Sequence, residues 1–147
     1  IQINFSLMDQ RALDHGLFPL CAERQVGVIA RTPLCFGYLT GEYTGGETFP
    51  ESDHRSRWDK AKIKKWVLTN KRFLSLIPQD GRRPSSQFAL QYCLSFDIIS
   101  TVIPGMLSER HVAENGMASE CDPIPPEVLG EIRNIYEQNR DILAVQS

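Results

Sequence analysis

One stretch of the chain, STVIPGMLSERHVAEN from Ser100 to Asn115, gathers residue types that can do chemistry. An apolar strand pattern runs into Pro104-Gly105, and a polar helix pattern follows with Ser108, Arg110, His111, Glu114 and Asn115. A helix that starts just after a strand offers free backbone N–H groups and the positive end of its dipole, which suit a phosphate. Gly105 permits close backbone approach, and Ser108 can donate or cap. Glu114 and Asn115 lie about two turns in, where the edge of a base can be read. Taken alone, these residues also fit an ordinary capped helix after a tight turn.

Two other strand ends carry similar material. Gln2 and Asn4 sit on the first strand pattern, and ARTPLCFGYLTGEY follows the second. In an α/β fold with parallel strands the carboxyl ends of the strands share one edge, where ligands gather. The three segments are therefore expected to face one site.

The elements that must position them can be read from periodicity. IQINFSL alternates Ile1, Ile3 and Phe5 with Gln2 and Asn4, the period of a strand with one polar face. Asp9 to Arg24 has helical spacing through Ala12, Leu13, Leu17, Leu20 and Cys21, loosened by Gly16 and Pro19. Val26 to Ala30 and IISTVIPG read as apolar strands, of the kind that are parallel and buried on both faces.

Between the second strand and the next helix, residues 31–58 form a long loop rich in Gly, Thr, Ser and charge, a length that usually signals function or disorder. DKAKIKKWVLTNKRFLSLI carries an apolar stripe of Ile63, Trp66, Val67, Leu74 and Ile77, and its basic outer face reads as solvated surface. GRRPSS predicts a turn and a helix start with Ser85 or Ser86 as N-cap. Ser108 is expected to cap a helix reaching Met117 or Ala118, and the final helix begins at the Pro125-Pro126 pair. The order is βα, β, long loop, αα, β, αα. Three parallel strands do not close a barrel, which takes roughly 250 residues, so the pattern reads as part of a larger fold.

Composition narrows the partners. The 147 residues are 41% hydrophobic and 23% charged, an ordinary soluble composition, and the net charge of -2 gives no general attraction to nucleic acid or anionic membrane. The partner is expected to be small. Cys21, Cys35, Cys93 and Cys121 show no zinc spacing and read as reduced thiols of a cytoplasmic protein. No segment has the pattern of a membrane span or signal peptide, and the chain opens within a strand pattern without Met.

QINFSLMDQRALDHGLFPLCAERQVGVIARTPLCFGYLTGEY, then PSSQFALQYCLS, then STVIPGMLSERHVAEN, together resemble the carboxyl-terminal half of an aldo-keto reductase. The branch is the one shared by bacterial oxidoreductases and potassium-channel β-subunits, and the resemblance covers nearly the whole chain in the family's order. It implies strands six to eight of a TIM (β/α)8 barrel plus the terminal helices, with residues 1–147 as a partial barrel domain. It also implies a nicotinamide dinucleotide cofactor, NADP with NAD as an alternative, and a small carbonyl substrate.

Residue roles follow from the same resemblance. Gln2 matches the glutamine that hydrogen-bonds the nicotinamide carboxamide. Arg31 stands where many members stack a Tyr or Trp on the nicotinamide. Thr32, Leu34, Gly37, Leu39 and Gly41 match the segment around the pyrophosphate, and Glu114 and Asn115 match the pair that reads adenine. Gly105, Met106 and Leu107 replace the Lys, Arg or Ser that meets an adenosine 2'-phosphate in the family, and His111 stands where many have Arg or Gln. That leaves Ser108, Arg110 and His111 as candidates for that phosphate. None of Tyr38, Tyr43, Tyr92 and Tyr136 matches a catalytic tyrosine motif, and Asp14-His15 and Asp53-His54 read as surface pairs.

The family's acid and base residues come from the first half of its barrel, so no residue here is assigned as acid, base or metal ligand. The resemblance also allows a nucleotide-sensing or partner-binding module without catalysis. A third alternative is a half-barrel that associates through exposed strand edges.

Overall fold

The polar-apolar alternation at the start of the chain becomes a short strand, β1 (Gln2–Asn4), and the apolar run after it becomes β2 (Val28–Arg31). In the computed structural model, which describes residues 1–78 and 83–143, these join β3 (Ile99–Ile103) in a parallel sheet of order β1-β2-β3. Gln2 pairs with Ile29 and Asn4 with Arg31 on one side. Ile29 pairs with Thr101 and Arg31 with Ile103 on the other, after a register shift between Val28 and Ile29. Side chains alternate along a strand, so Gln2, Asn4, Ile29, Arg31, Thr101 and Ile103 share one face.

The opposite face packs on helices. Val28 and Ala30 are fully buried there, and Phe5, Phe18, Tyr92 and Phe96 form an aromatic cluster with ring centroids 5.0 to 5.7 Å apart. Within this chain the strands are covered on one face. β3 departs furthest: Ile99 is buried, but Ser100, Thr101 and Ile103 are exposed, because β3 is an edge strand and the helices lie on one side of the sheet.

The loosened helix of residues 9–24 divides at Gly16, whose φ of 65° breaks it into α1 (Arg11–Asp14) and α2 (Leu17–Glu23). The long loop contains a kinked pair of turns, Cys35–Thr40, and a 3₁₀ turn, His54–Arg57, the first pinned by buried Cys35, Tyr38 and Leu39. Asn70 of α3 (Lys60–Leu74) donates to the Tyr38 carbonyl at 2.6 Å. Trp66 of α3 is core, and its indole donates to the Ile142 carbonyl at 2.9 Å; Lys60, Lys64, Lys65, Lys71 and Arg72 face solvent.

Helix α4 (Ser85–Leu94) starts at Ser85 with Pro84 in the cap position and no side-chain cap, so neither serine caps it. Pro84 supplies the extended backbone before the first turn, and Ser86 faces inward on α5 (Glu109–Gly116) instead. The turn expected at Gly81-Arg82 lies outside the described residues. Ser108 caps α5 as expected, accepting the His111 N–H at 3.2 Å, and a 3₁₀ turn, Met117–Glu120, continues from its end. α6 (Pro126–Gln138) and α7 (Arg140–Leu143) close the described chain.

Asp14 is not the surface residue its neighbour His15 suggested. Its carboxylate, 10% exposed, receives Arg133 of α6 and Arg140 of α7, the latter at 2.6 Å, and so ties α1 to the terminal helices. Burial pushes its pKa up, but the two guanidiniums more than offset this and hold it below the ordinary carboxylate value. All four cysteines are free thiols, and burial pushes Cys35 up to about 12. Among the described residues no helix is long and apolar enough to cross a membrane, and none form a His/Cys/Asp/Glu group that could hold a metal ion.

Candidate cofactor site at the carboxyl edge of the sheet

Parallel pairing brings the carboxyl ends of all three strands to one edge. There the Thr32 hydroxyl lies 3.1 Å from Asn4 Oδ1 and 2.7 Å from the Arg31 carbonyl, and the Phe5 N–H donates to that same carbonyl at 3.2 Å. The backbone then enters an unusual run. Thr32, Cys35 and Phe36 have φ of 54°, 45° and 57°, and Gly37 and Gly41 have 93° and 83°. Left-handed backbone is rare for residues with a side chain and costly for a β-branched one, and it concentrates at ligand sites. Such turns can form concave nests of N–H groups that suit an anion.

Glycine is needed at 37: a Cβ there would meet the Tyr43 ring at 2.8 Å. At Gly41 a Cβ would come within 3.1 Å of Leu74 and 3.2 Å of the Ser85 hydroxyl. Leu39 is fully buried, its N–H held by the Leu34 carbonyl at 3.2 Å, and half-buried Leu34 packs on the core. These two leucines anchor the loop through their side chains.

The α5 segment faces this loop. Arg110 pairs with Glu42 at 3.2 Å, directly after Gly41. His111 Nδ1 accepts the Leu107 N–H at 3.2 Å, which requires an unprotonated nitrogen at that position. Glu114 accepts the Ser86 hydroxyl, and its carbonyl accepts the Gln87 amide at 2.9 Å. Asn115 is buried to 8% exposure, while Gly105 looks onto open space. Helix α4 is the common support, touching the Cys35–Thr40 segment, β3 and α5. The structure thus brings Gln2, Arg31 and Thr32 onto or beside the open sheet face, and sets the loop from Leu34 to Gly41 beside the helix bearing Ser108, His111, Glu114 and Asn115.

Sequence reasoning missed Arg55. Its guanidinium donates to the Tyr43 hydroxyl at 2.8 Å, the Phe36 carbonyl at 3.2 Å and Asp53 at 2.6 Å, and it lies 4.1 Å over the Phe49 ring. Hydrogen bonds from Arg55 hold the Asp53 carboxyl at about 2. Asp53 therefore serves Arg55 and the start of a 3₁₀ turn, while His54 sits 3.7 Å away and exposed. Asp53, His54, Arg55 and Phe36 border a cavity of about 480 Å³ opening beside the left-handed run. The spacing of a capping Asp two positions before an Arg was the available signal. Trp58 and Phe49 line a smaller cavity of about 130 Å³ with Tyr38 and Arg55.

Residues 1–137 match the profile of the aldo/keto reductase family. This chain belongs to that family. A probable voltage-gated potassium channel subunit beta from rice, Oryza sativa subsp. japonica, is 26% identical over 92% of this chain and 43% of that protein. L-galactose dehydrogenase of Arabidopsis thaliana is 30% identical over 95% of the chain and 40% of its own length. The solved structure of a glycerol dehydrogenase from Gluconobacter oxydans superposes on the whole chain with a TM-score of 0.81, covering 44% of that chain at 21% identity.

The aldo/keto reductase chain thus spans less than half the length of these relatives. Its α/β architecture, with a small parallel sheet, is that of part of a TIM barrel.

Proposed function

We propose that residues 1–147 are the carboxyl-terminal part of one barrel domain, and that the complete protein reduces aldehydes or ketones with a nicotinamide dinucleotide. In this reading the chain described above holds the cofactor, and the rest of the barrel supplies the acid that protonates the carbonyl oxygen. The observation that carries it is the set of left-handed residues Thr32, Cys35, Phe36 and Gly37 just after β2, with Thr32 beside Asn4 at the strand edge, in a loop that the Glu42–Arg110 pair joins to the first turn of α5. A backbone held in costly conformations beside a helix N-terminus suits a pyrophosphate and its nucleoside.

When bound, the cofactor supplies a hydride for the carbonyl carbon. Gln2 would hold the carboxamide, Arg31 would meet the nicotinamide ring, and Thr32 with the loop from Leu34 to Gly41 would hold the pyrophosphate. Asn115 and Glu114 would read the adenine. Fixing the donor ring on a rigid sheet face is how such a portion contributes to rate, since orientation removes much of the entropic barrier.

NADP follows from family habit, whereas the side chains here favour NAD. Ser108, Arg110 and His111 are each engaged within the chain, and exposed Leu107 occupies the neighbouring surface. Four free thiols support a cytoplasmic setting.

The rice relative favours a second reading, a nucleotide-sensing module without turnover. Titrating the complete protein with reduced cofactor, followed by a carbonyl-dependent oxidation assay, separates the two. Binding with turnover supports the reductase, binding without turnover supports the sensor, and no binding overturns both. Asn115→Leu is expected to weaken cofactor binding by about 1 to 3 kcal/mol through loss of a buried hydrogen bond. Unchanged affinity would remove Asn115 from the site.

A further inference from the structure

Arg31 is the only charged residue in the three strands. It stands at the last position of β2, opposite Asn4 and Ile103, on the face shared by Gln2, Ile29 and Thr101. It is exposed, and among the described residues no carboxylate forms an ion pair with it. The other arginines near the site are committed: Arg55 to Asp53 and Tyr43, Arg110 to Glu42. Within this chain the open face of the sheet therefore carries one positive charge with no carboxylate paired to it, placed at the edge where ligands gather.

What such a charge does depends on the ligand's own charge. A guanidinium plane stacks readily on a neutral ring, but it repels a ring bearing a full positive charge, with an energy that scales inversely with distance and local dielectric. The reduced and oxidised forms of a nicotinamide dinucleotide have the same adenosine, pyrophosphate, ribose and carboxamide. They differ in the nicotinamide ring, which is neutral when reduced and cationic when oxidised. Comparing the two forms cancels every contact except those at that ring.

We propose that Arg31 makes this site select the reduced cofactor over the oxidised one, an inference that rests on the cofactor reading above. The selection works by weakening the oxidised form more than by tightening the reduced one. Affinity differences of this kind fall mainly on dissociation rates, so the spent cofactor leaves faster than it would from an uncharged site. Arginine keeps its charge across the working range, so the preference does not change between pH 6 and pH 9.

The test is a titration of the complete protein with the reduced and oxidised forms of the cofactor it binds, repeated for Arg31→Gln and Arg31→Lys at two pH values. The unaltered protein should bind the reduced form at least tenfold more tightly. Arg31→Gln should shrink that ratio at least fivefold, chiefly by tightening the oxidised form, while Arg31→Lys keeps most of it. An unchanged ratio in Arg31→Gln, or a ratio that follows histidine titration, would overturn this inference and leave the cofactor reading standing. Failure of the unaltered protein to bind either form would overturn both.

Discussion

The hydroxyl of Thr32 sits between two acceptors, Asn4 Oδ1 at 3.1 Å and the Arg31 carbonyl at 2.7 Å, and so fastens the end of β2 to the end of β1. Thr32 is also the first residue of the left-handed run, with φ of 54°. A β-branched residue in that region persists only where its surroundings hold it. Thr32→Val keeps the branching and removes the hydroxyl. It should destabilise the complete protein by about 1 kcal/mol, the net worth of an ordinary hydrogen bond, and weaken cofactor binding as well. Urea midpoints and cofactor titration read the two effects separately; full retention of both would show that the strand edges need no such link.

The pairing of Arg110 with Glu42 bears on the choice between NAD and NADP. Both side chains are largely exposed, at 68% and 63%, so the pair adds little to stability. Glu42→Gln should leave the unfolding midpoint nearly unchanged while freeing a guanidinium for a phosphate, which arginine binds with two parallel hydrogen bonds. The affinity for NADPH relative to NADH should rise roughly threefold or more. Arg110→Gln should move the ratio the other way. If neither substitution moves it, Arg110 does not reach the ribose.

Gly37 has both a left-handed φ of 93° and a neighbour too close for a side chain. An alanine Cβ there would press on the Tyr43 ring, whose hydroxyl is held by Arg55. Gly37→Ala should cost about 2 kcal/mol, combining backbone strain with displacement of Tyr43. Because the strain passes through the Tyr43–Arg55 contact, Gly37→Ala and Arg55→Lys should be non-additive in a double-mutant cycle. Additive losses would mean that Tyr43 moves without disturbing Arg55.

Local patterns were legible where local forces decide the structure. The alternation around Ile3, the apolar run into Ala30 and the Ser108 cap all appear as their sequences suggest. The exposure of β3 was not legible, because burial of a strand face depends on what packs against it and not on the strand's own residues. Ser86 was misplaced for a related reason: Pro84 already supplies the extended backbone that precedes a helix, so the serine was available for Glu114, 28 positions away. Arg55 escaped notice because its partners Phe36 and Tyr43 come from an aperiodic loop. Family resemblance supplied the roles proposed for Gln2 and Arg31, which no periodicity could have suggested.

Acid should remove the stabilisation supplied by carboxylates whose pKa is lowered on folding. Asp14, held below its ordinary value by Arg133 and Arg140, and Asp53, held at about 2 by Arg55, each bind a proton more readily when unfolded than when folded. Their stabilisation is therefore complete above about pH 4, the unfolded carboxylate value, and is lost as the pH falls through the lower folded values. Asp14→Asn removes one such group and leaves Arg133 and Arg140 without their shared partner, so it should lower the urea midpoint at pH 7. As the pH falls below the ordinary carboxylate value the unaltered protein loses the same charge, and the gap between the two should narrow. A gap that stays constant from pH 7 to pH 3 would mean that Asp14 acts through packing and not through its charge.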